Sequence, residues 1–310
     1  MSRHSSLIGA IGRTPMVELA RFAPNPRVRM FGKLEGMNPT GSVKDRIALY
    51  LVDGLEQDGR LGPESVILEP SSGNTGISLA MICRLRGYRL SVVMPDNATR
   101  ERRQVLEAYG VEIVKSPGEL GSNGAIALAR KMAAEDSRYV LADQYANPAN
   151  PIAHYETTGP EILADCPDLD VFVAGLGTGG TLMGVGRRLR EEKPGVRIVA
   201  AEPMPGERVQ GLRSLEEGFV PEIFDASVLD ERILVTTEES IETMRRLAET
   251  ESIFAGVSSG GVLAVASRVA ESMDSGTIVA LLADGGWKYL SEDLWRREPT
   301  DEEMETLNLW

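Results

Sequence analysis

Residues 66–95, VILEPSSGNTGISLAMICRLRGYRLSVVMP, hold one complete alternation of secondary structure. VILEP (66–70) is a short apolar run closed by a proline, the length of a strand rather than of a helix. Ser71-Ser72-Gly73-Asn74-Thr75-Gly76 follows as a cluster of turn formers. The apolar run through Cys83 then predicts a helix, and Gly87 ends it. YRLSVVMP (88–95) is the next strand. Strands apolar at most positions leave no face for water, so they belong in a parallel sheet covered by helices on both sides.

The alternation extends in both directions. Upstream, VRMFGKLE (28–35) reads as a strand. Downstream come a helix over 99–110, a strand over 111–116, a helix over 122–136, a strand over 138–144 and a helical stretch from about 151 to 165. VFVAGLG (171–177) is a strand, 177–192 a Gly-rich turn and helix, and VRIVAAEP (196–203) a strand. Helices over 238–251 and 257–273 and a strand in TIVALLADGG (277–286) complete the series. The pattern predicts an α/β protein with mostly parallel sheet. Asn147-Pro148-Ala149-Asn150-Pro151 is the best seam, and there is no internal repeat.

Composition narrows the function. With 310 residues and 42% hydrophobic content, the chain has room for one large or two medium domains with a proper core. A net charge of −13 repels a phosphate backbone, so no nucleic-acid partner is expected. No run of 18 apolar residues is present, so no membrane span is expected, and the apolar core of the first 15 residues is too short for a secretory signal. Two cysteines, Cys83 and Cys166, without metal-type spacing fit a reducing cytoplasm, and Cys83 is expected in the core. Two histidines, His4 and His154, leave no His-rich metal site.

Asn38-Pro39-Thr40-Gly41-Ser42-Val43-Lys44-Asp45-Arg46 is the stretch with chemistry in it. Pro39 and Gly41 mark a turn, and Ser42 with Asp45 predicts a capping box. Val43, Ile47, Tyr50, Leu51 and Leu55 recur at helical spacing until Gly59 stops them. Lys44 therefore falls in the first helical turn, where the dipole disfavours positive charge. A neutral amine is what Schiff-base chemistry requires. Taken alone, such a lysine is more often solvated and paired with a carboxylate.

Three Gly-rich turns, at 71–76, 177–181 and 256–261, stand where strands give way to helices, the usual ligand position in wound sheets. Gly175-Leu176-Gly177-Thr178-Gly179-Gly180 satisfies G-x-G-x-x-G, with Glu202 where a ribose-binding acid would sit. That supports a nicotinamide-dependent oxidoreductase as the rival. Thr178 and Thr181 equally suit a single terminal phosphate at a helix start. Gly256-Val257-Ser258-Ser259-Gly260 matches a hydrolase elbow, but no histidine follows Ser258, so that reading fails.

Together and in this order, the lysine turn, SSGNTG, GTGGT and GVSSG resemble the pyridoxal-phosphate-dependent cysteine synthases of the tryptophan synthase β-like family, from Thr14-Pro15 to about Leu290. The resemblance implies fold type II: two open, twisted, mostly parallel sheets with helices on both faces. It implies a smaller mobile domain over 36–147 and a larger cofactor-phosphate-binding domain from 1–35 and 148–310. Lys44 would hold the pyridoxal 5'-phosphate and act as base and acid at the substrate Cα. Gly177, Thr178, Gly179, Gly180 and Thr181 would cradle the phosphate, Asn74 would bond the ring oxygen, and Ser258 would face the ring nitrogen. Ser72, Asn74, Thr75 and Gln144 would surround the substrate carboxylate.

The implied reaction is β-replacement on an activated L-serine through an aminoacrylate, giving L-cysteine. The stretch 211–222 is similar to B-type enzymes, including a branch that takes O-phosphoserine rather than O-acetylserine. Arg213 would then meet the substrate phosphate, unless it pairs on the surface with Glu216 or Glu217. Sulfide, thiosulfate or a thiocarboxylated sulfur-carrier protein would donate sulfur. The tail Thr306–Trp310 resembles those that reach into the site. A homodimer is implied, and a cystathionine β-synthase-like enzyme is the alternative within the family.

Overall fold

The computed structural model of the protein describes residues 3–71, 73–216 and 219–295. In chain order, β1 (Met16–Glu18) and β2 (Val28–Leu34) precede α1 (Lys44–Gln57). Then come β3 (Val66–Pro70), α2 (Asn74–Arg86), β4 (Arg89–Pro95), α3 (Arg100–Ala108), β5 (Glu112–Ser116), α4 (Gly121–Glu135) and β6 (Tyr139–Leu141). Two short helices, α5 (Ala149–Ala153) and α6 (Gly159–Asp165), flank a π-turn at His154–Thr158. The chain continues through β7 (Val171–Gly175), α7 (Gly180–Glu192), β8 (Arg197–Pro203), β9 (Glu231–Val235), α8 (Thr237–Glu251), α9 (Val257–Ser272) and β10 (Gly276–Leu282).

The strands form two sheets. The larger has the order β1-β2-β10-β7-β8-β9 and the smaller β5-β4-β3-β6. Every pairing is parallel except β1 with β2. The side-chain period of two puts Val171 and Val173 into one core with α9, and Phe172 and Ala174 into another with α7. Both faces of β7 are thus dry, which is why its sequence shows no alternation. Ile67 and Leu68 divide in the same way between the two faces of the smaller sheet. Cys83 lies in the core, and burial pushes its thiol up to about 12.

Two strands escape the sequence pattern. β1 is three residues long, and β9 is an edge strand in which only Val235 is buried. Neither carries the apolar run that marks a central strand. The predicted capping box is also absent. Val43 is the N-cap of α1 and its side chain caps nothing, while Ser42 Oγ accepts from Lys44 N–H at 3.3 Å rather than from Asp45 N–H. Asp45 instead accepts from the Thr40 backbone N–H at 2.7 Å, from the Thr40 hydroxyl and from Ser78 Oγ at 2.6 Å. Its carboxylate holds the turn before the helix and ties it to α2. Among the described residues, no helix is long and apolar enough to cross a membrane.

Candidate active site

The carboxyl ends of β3, β6, β7 and β10 supply the segments that converge on the site. A cavity of about 590 Å³ lies between the two sheets, lined by Lys44, Asn74, Thr75, Gln144, Gly177, Thr178 and Arg213 among others. Seven residues singled out from the sequence thus meet at one cavity.

Lys44 is delivered by a junction between the sheets. The turn before it lies against the end of β10: Val43 N–H donates to Ala283 O at 2.8 Å, and Gly285 N–H to Gly41 O at 3.2 Å. Ser42 and Asp284 form an isolated antiparallel bridge. Gly41 has φ +80°, and a Cβ there would come within 2.7 Å of the Trp287 ring, so this turn requires glycine. Burial lowers the Lys44 amine from 10.5 to about 8, while the Asp284 charge works in the opposite direction. The neutral amine expected from the helix start is therefore favoured chiefly by desolvation.

The start of α7 follows the Gly-rich turn, with Thr178 just before the helix and Thr181 in its first turn. Gly179 is its N-cap at φ +88°, no acidic residue occupies the first turn, and Gly180 N–H donates to Thr178 Oγ1 at 3.3 Å. The first backbone N–H groups of a helix are unsatisfied by the helix itself. Thr178 Oγ1 accepts from Asn150 Nδ2 at 3.0 Å, and Thr181 Oγ1 lies 3.2 Å from His154 Nε2. The other ring nitrogen of His154 is 2.9 Å from Thr158 Oγ1 inside the π-turn. Burial, then the charges of Lys44 and Arg46, hold His154 well below its usual pKa, so the ring is neutral. A Cβ at Gly180 would run into the Asn150 amide, whose buried Oδ1 has no partner among the described residues.

The smaller sheet supplies a polar rim. Ser71 Oγ accepts from Gly73 N–H at 3.2 Å and Gly76 N–H at 3.1 Å, shaping the turn that opens α2. Thr75 Oγ1 donates to Gln144 Oε1 at 2.7 Å, and both side chains are buried. Asn150 Nδ2 also donates to Gln144 O at 2.7 Å, linking this rim to Thr178. Ser258 sits buried in the first turn of α9, in contact distance of the space beside Gly211 on the cavity wall. Gly179, Gly180 and Thr181 lie in the helix start behind Gly177 and Thr178. Ser72, Glu217 and Thr306–Trp310 lie outside the described residues.

Arg213 lines the same cavity. Its guanidinium lies 4.6 Å from the Phe219 ring centre and 5.3 Å from that of Tyr145, and Nη1 donates to Asn123 Oδ1 at 3.1 Å. Among the described residues it pairs with no carboxylate, so the surface pairing with Glu216 does not form. Glu202, the candidate ribose acid, is 1% exposed and fully engaged. Its oxygens take Leu215 N–H at 2.7 Å and Arg232 at 3.1 Å, which removes the nicotinamide reading.

Sequence reasoning missed a polar group below Asn74. Asn74 Nδ2 donates to Asp284 Oδ2 at 2.7 Å, and Lys288 Nζ donates to Asn74 Oδ1 at 2.6 Å. Tyr289 OH donates to the same Asp284 oxygen at 2.7 Å. The signal available was Ala283-Asp284-Gly285-Gly286 directly after an apolar strand, a strand-end position of the kind that carries ligands. Among the described residues, no group of three or more His, Cys, Asp or Glu could hold a metal.

An amine lowered to about 8, a glycine and threonine turn opening a helix, and the polar cavity they adjoin fit an aldehyde that carries a phosphate. Comparison with known proteins agrees. The family described as pyridoxal-phosphate dependent enzymes matches residues 7–284. Cysteine synthase B of Escherichia coli K12 is 44% identical over 295 residues, covering 95% of this chain and 97% of that one. Cysteine synthase B of Pseudomonas aeruginosa is 41% identical over 294 residues, covering 94% and 98%. Among solved structures, an O-ureido-L-serine synthase superposes with TM-score 0.91 at 42% identity, over 98% of this chain and 100% of that one. A cysteine synthase of Entamoeba histolytica gives 0.89 at 34% identity, over 99% and 95%. Matched over residues 7–284, and with the lysine turn and the parallel sheets in place, this chain belongs to the pyridoxal-phosphate-dependent enzyme family.

Proposed function

We propose that the protein is a cysteine synthase that replaces the β-substituent of an activated L-serine with sulfur, giving L-cysteine. The observation that carries this reading is Lys44, an amine lowered to about 8 at the wall of a cavity also lined by Gly177 and Thr178, just before α7. Pyridoxal phosphate, when bound, supplies the electron-poor ring that makes the substrate Cα proton removable.

The residues would divide the work as follows. Lys44 would hold the aldehyde carbon between turnovers, then as a free amine take the Cα proton and later return it. The amides of Gly177–Thr181 and the two threonine hydroxyls would bind the phosphate, and Asn74 the ring oxygen. Ser258 would face the ring nitrogen. A hydroxyl does not keep that nitrogen protonated as a carboxylate does, which favours losing a good leaving group over transamination. Thr75 and Gln144 would hold the substrate carboxylate at the start of α2.

We assign O-phosphoserine as the favoured substrate, with O-acetylserine as the weaker one. The support is Arg213, held over the cavity by two aromatic rings and free of carboxylates among its described neighbours; a guanidinium suits a phosphate. The same cation would serve thiosulfate or a thiocarboxylated carrier protein as sulfur donor. The reading includes a homodimer in the cytoplasm, and a 36–147 domain that moves against the rest.

Borohydride reduction of the yellow holoprotein followed by peptide mass spectrometry tests the reading. The adduct is expected on Lys44; an adduct on another side chain, or none, overturns it.

A further inference from the structure

Lys288 has no exposed surface, an expensive position for a lysine that no surface role explains. It lies in the short 3-10 helix Gly286–Glu292, and burial lowers its amine to about 8 against the charges of Asp284 and Asp45, with Arg102 adding to the lowering. Its ammonium spends a hydrogen bond on Asn74 Oδ1 at 2.6 Å. The other end of that amide is taken by Asp284 Oδ2 at 2.7 Å, which Tyr289 OH holds in turn. Asn74 and Tyr289 both line the cavity.

A primary amide has a donor end and an acceptor end of nearly equal shape, so a free asparagine side chain turns over and exchanges them. A cation at one end and a carboxylate at the other permit one orientation. We propose that Lys288 is a positioning residue of the cofactor site: it fixes the Asn74 amide so that its second N–H remains the donor presented to the cavity. The inference rests on Asn74 being a cofactor ligand. It also accounts for Asp284, whose carboxylate is held between Asn74, Tyr289 and the field of two lysines.

The test is a double-mutant cycle in the full chain, read by titration with pyridoxal phosphate and by the position of the bound visible band. Lys288→Met is expected to weaken affinity about 10- to 100-fold, the scale of a buried hydrogen bond to a charged group, and to displace the band. Lys288→Arg, which keeps a cationic donor, recovers most of the affinity and the band position. In an Asn74→Ala background, Lys288→Met changes affinity less than about twofold, because the group it acts through is gone. An equal loss in both backgrounds, or no loss in the wild-type background, overturns the proposal. Should circular dichroism show Lys288→Met unfolded, Lys288→Gln enters the same cycle, where a loss that vanishes without Asn74 supports the role and an equal loss refutes it. A wild-type chain that binds no pyridoxal phosphate would instead overturn the cofactor reading itself.

Discussion

Val43 donates its backbone N–H to the carbonyl of Ala283 at 2.8 Å, joining the turn before Lys44 to the end of β10 across 240 residues of chain. Because the bond lies one residue before Lys44, it fixes where the amine stands relative to the larger sheet. Val43 has φ −54°, which proline tolerates, so Val43→Pro removes the donor with little local strain. We expect a loss of about 1–3 kcal/mol in stability and slower cofactor attachment. Denaturant unfolding and the growth of the visible band measure the two effects.

Cofactor uptake should depend on pH through Lys44. Only the neutral amine attacks an aldehyde, so the uptake rate of the cofactor-free chain is expected to rise through about pH 8 and level off above it. An ordinary lysine would keep accelerating toward 10.5. Stability follows the same shift. The folded value lies below the unfolded one, so between about 8 and 10.5 the unfolded chain binds more protons, and stability from this group rises with pH. Cofactor-free Lys44→Met should therefore melt higher than wild type at pH 7, with the gap closing toward pH 10.5. A pH-independent gap would contradict the assignment.

Gly180→Ala places a methyl against the Asn150 amide at the start of α7. That amide also spans Thr178 and Gln144, so its displacement should disturb the proposed phosphate and carboxylate contacts together. The expected outcome is about tenfold weaker pyridoxal phosphate binding, with a stability cost of about 1–3 kcal/mol for overpacking. Equilibrium titration and thermal unfolding check both.

Arg213→Ala separates the two activated serines. Loss of a charged hydrogen-bonding partner for the leaving phosphate is expected to lower kcat/KM for O-phosphoserine about 10- to 100-fold and to leave O-acetylserine nearly unchanged. Side-by-side turnover decides it. Equal losses on both substrates would assign Arg213 a packing role over Tyr145 and Phe219.

Glu202→Gln should affect folding rather than ligand choice. The buried carboxylate holds Leu215 N–H and Arg232, which is about half exposed, so a loss of about 1–3 kcal/mol is expected. Chemical denaturation measures it, and pyridoxal phosphate affinity should change little.

The parts of the site legible in the sequence are those whose identity is forced by local backbone. Gly179 must adopt a left-handed conformation to open α7, Gly41 must clear Trp287, and Lys44 must stand where a helix begins. Such demands act within a few residues and leave motifs. The capping box failed for the same reason in reverse. Ser42 and Asp45 have the right spacing, but Asp45 gains more from Thr40 and Ser78, and Ser78 is 33 positions away.

By itself, the sequence determined the alternation of apolar strands and helices, the glycine turns and the lysine that the chemistry needs, because each follows from short-range sterics and hydrophobic periodicity. The folded chain alone decided what surrounds that lysine. Asp284 and Lys288 reach Asn74 from more than 200 positions away because β10 is laid between β2 and β7 and ends under the lysine turn. Hydrogen bonds and charges are short-ranged in space and indifferent to separation along the chain, so no local pattern records which polar groups the sheets will bring together.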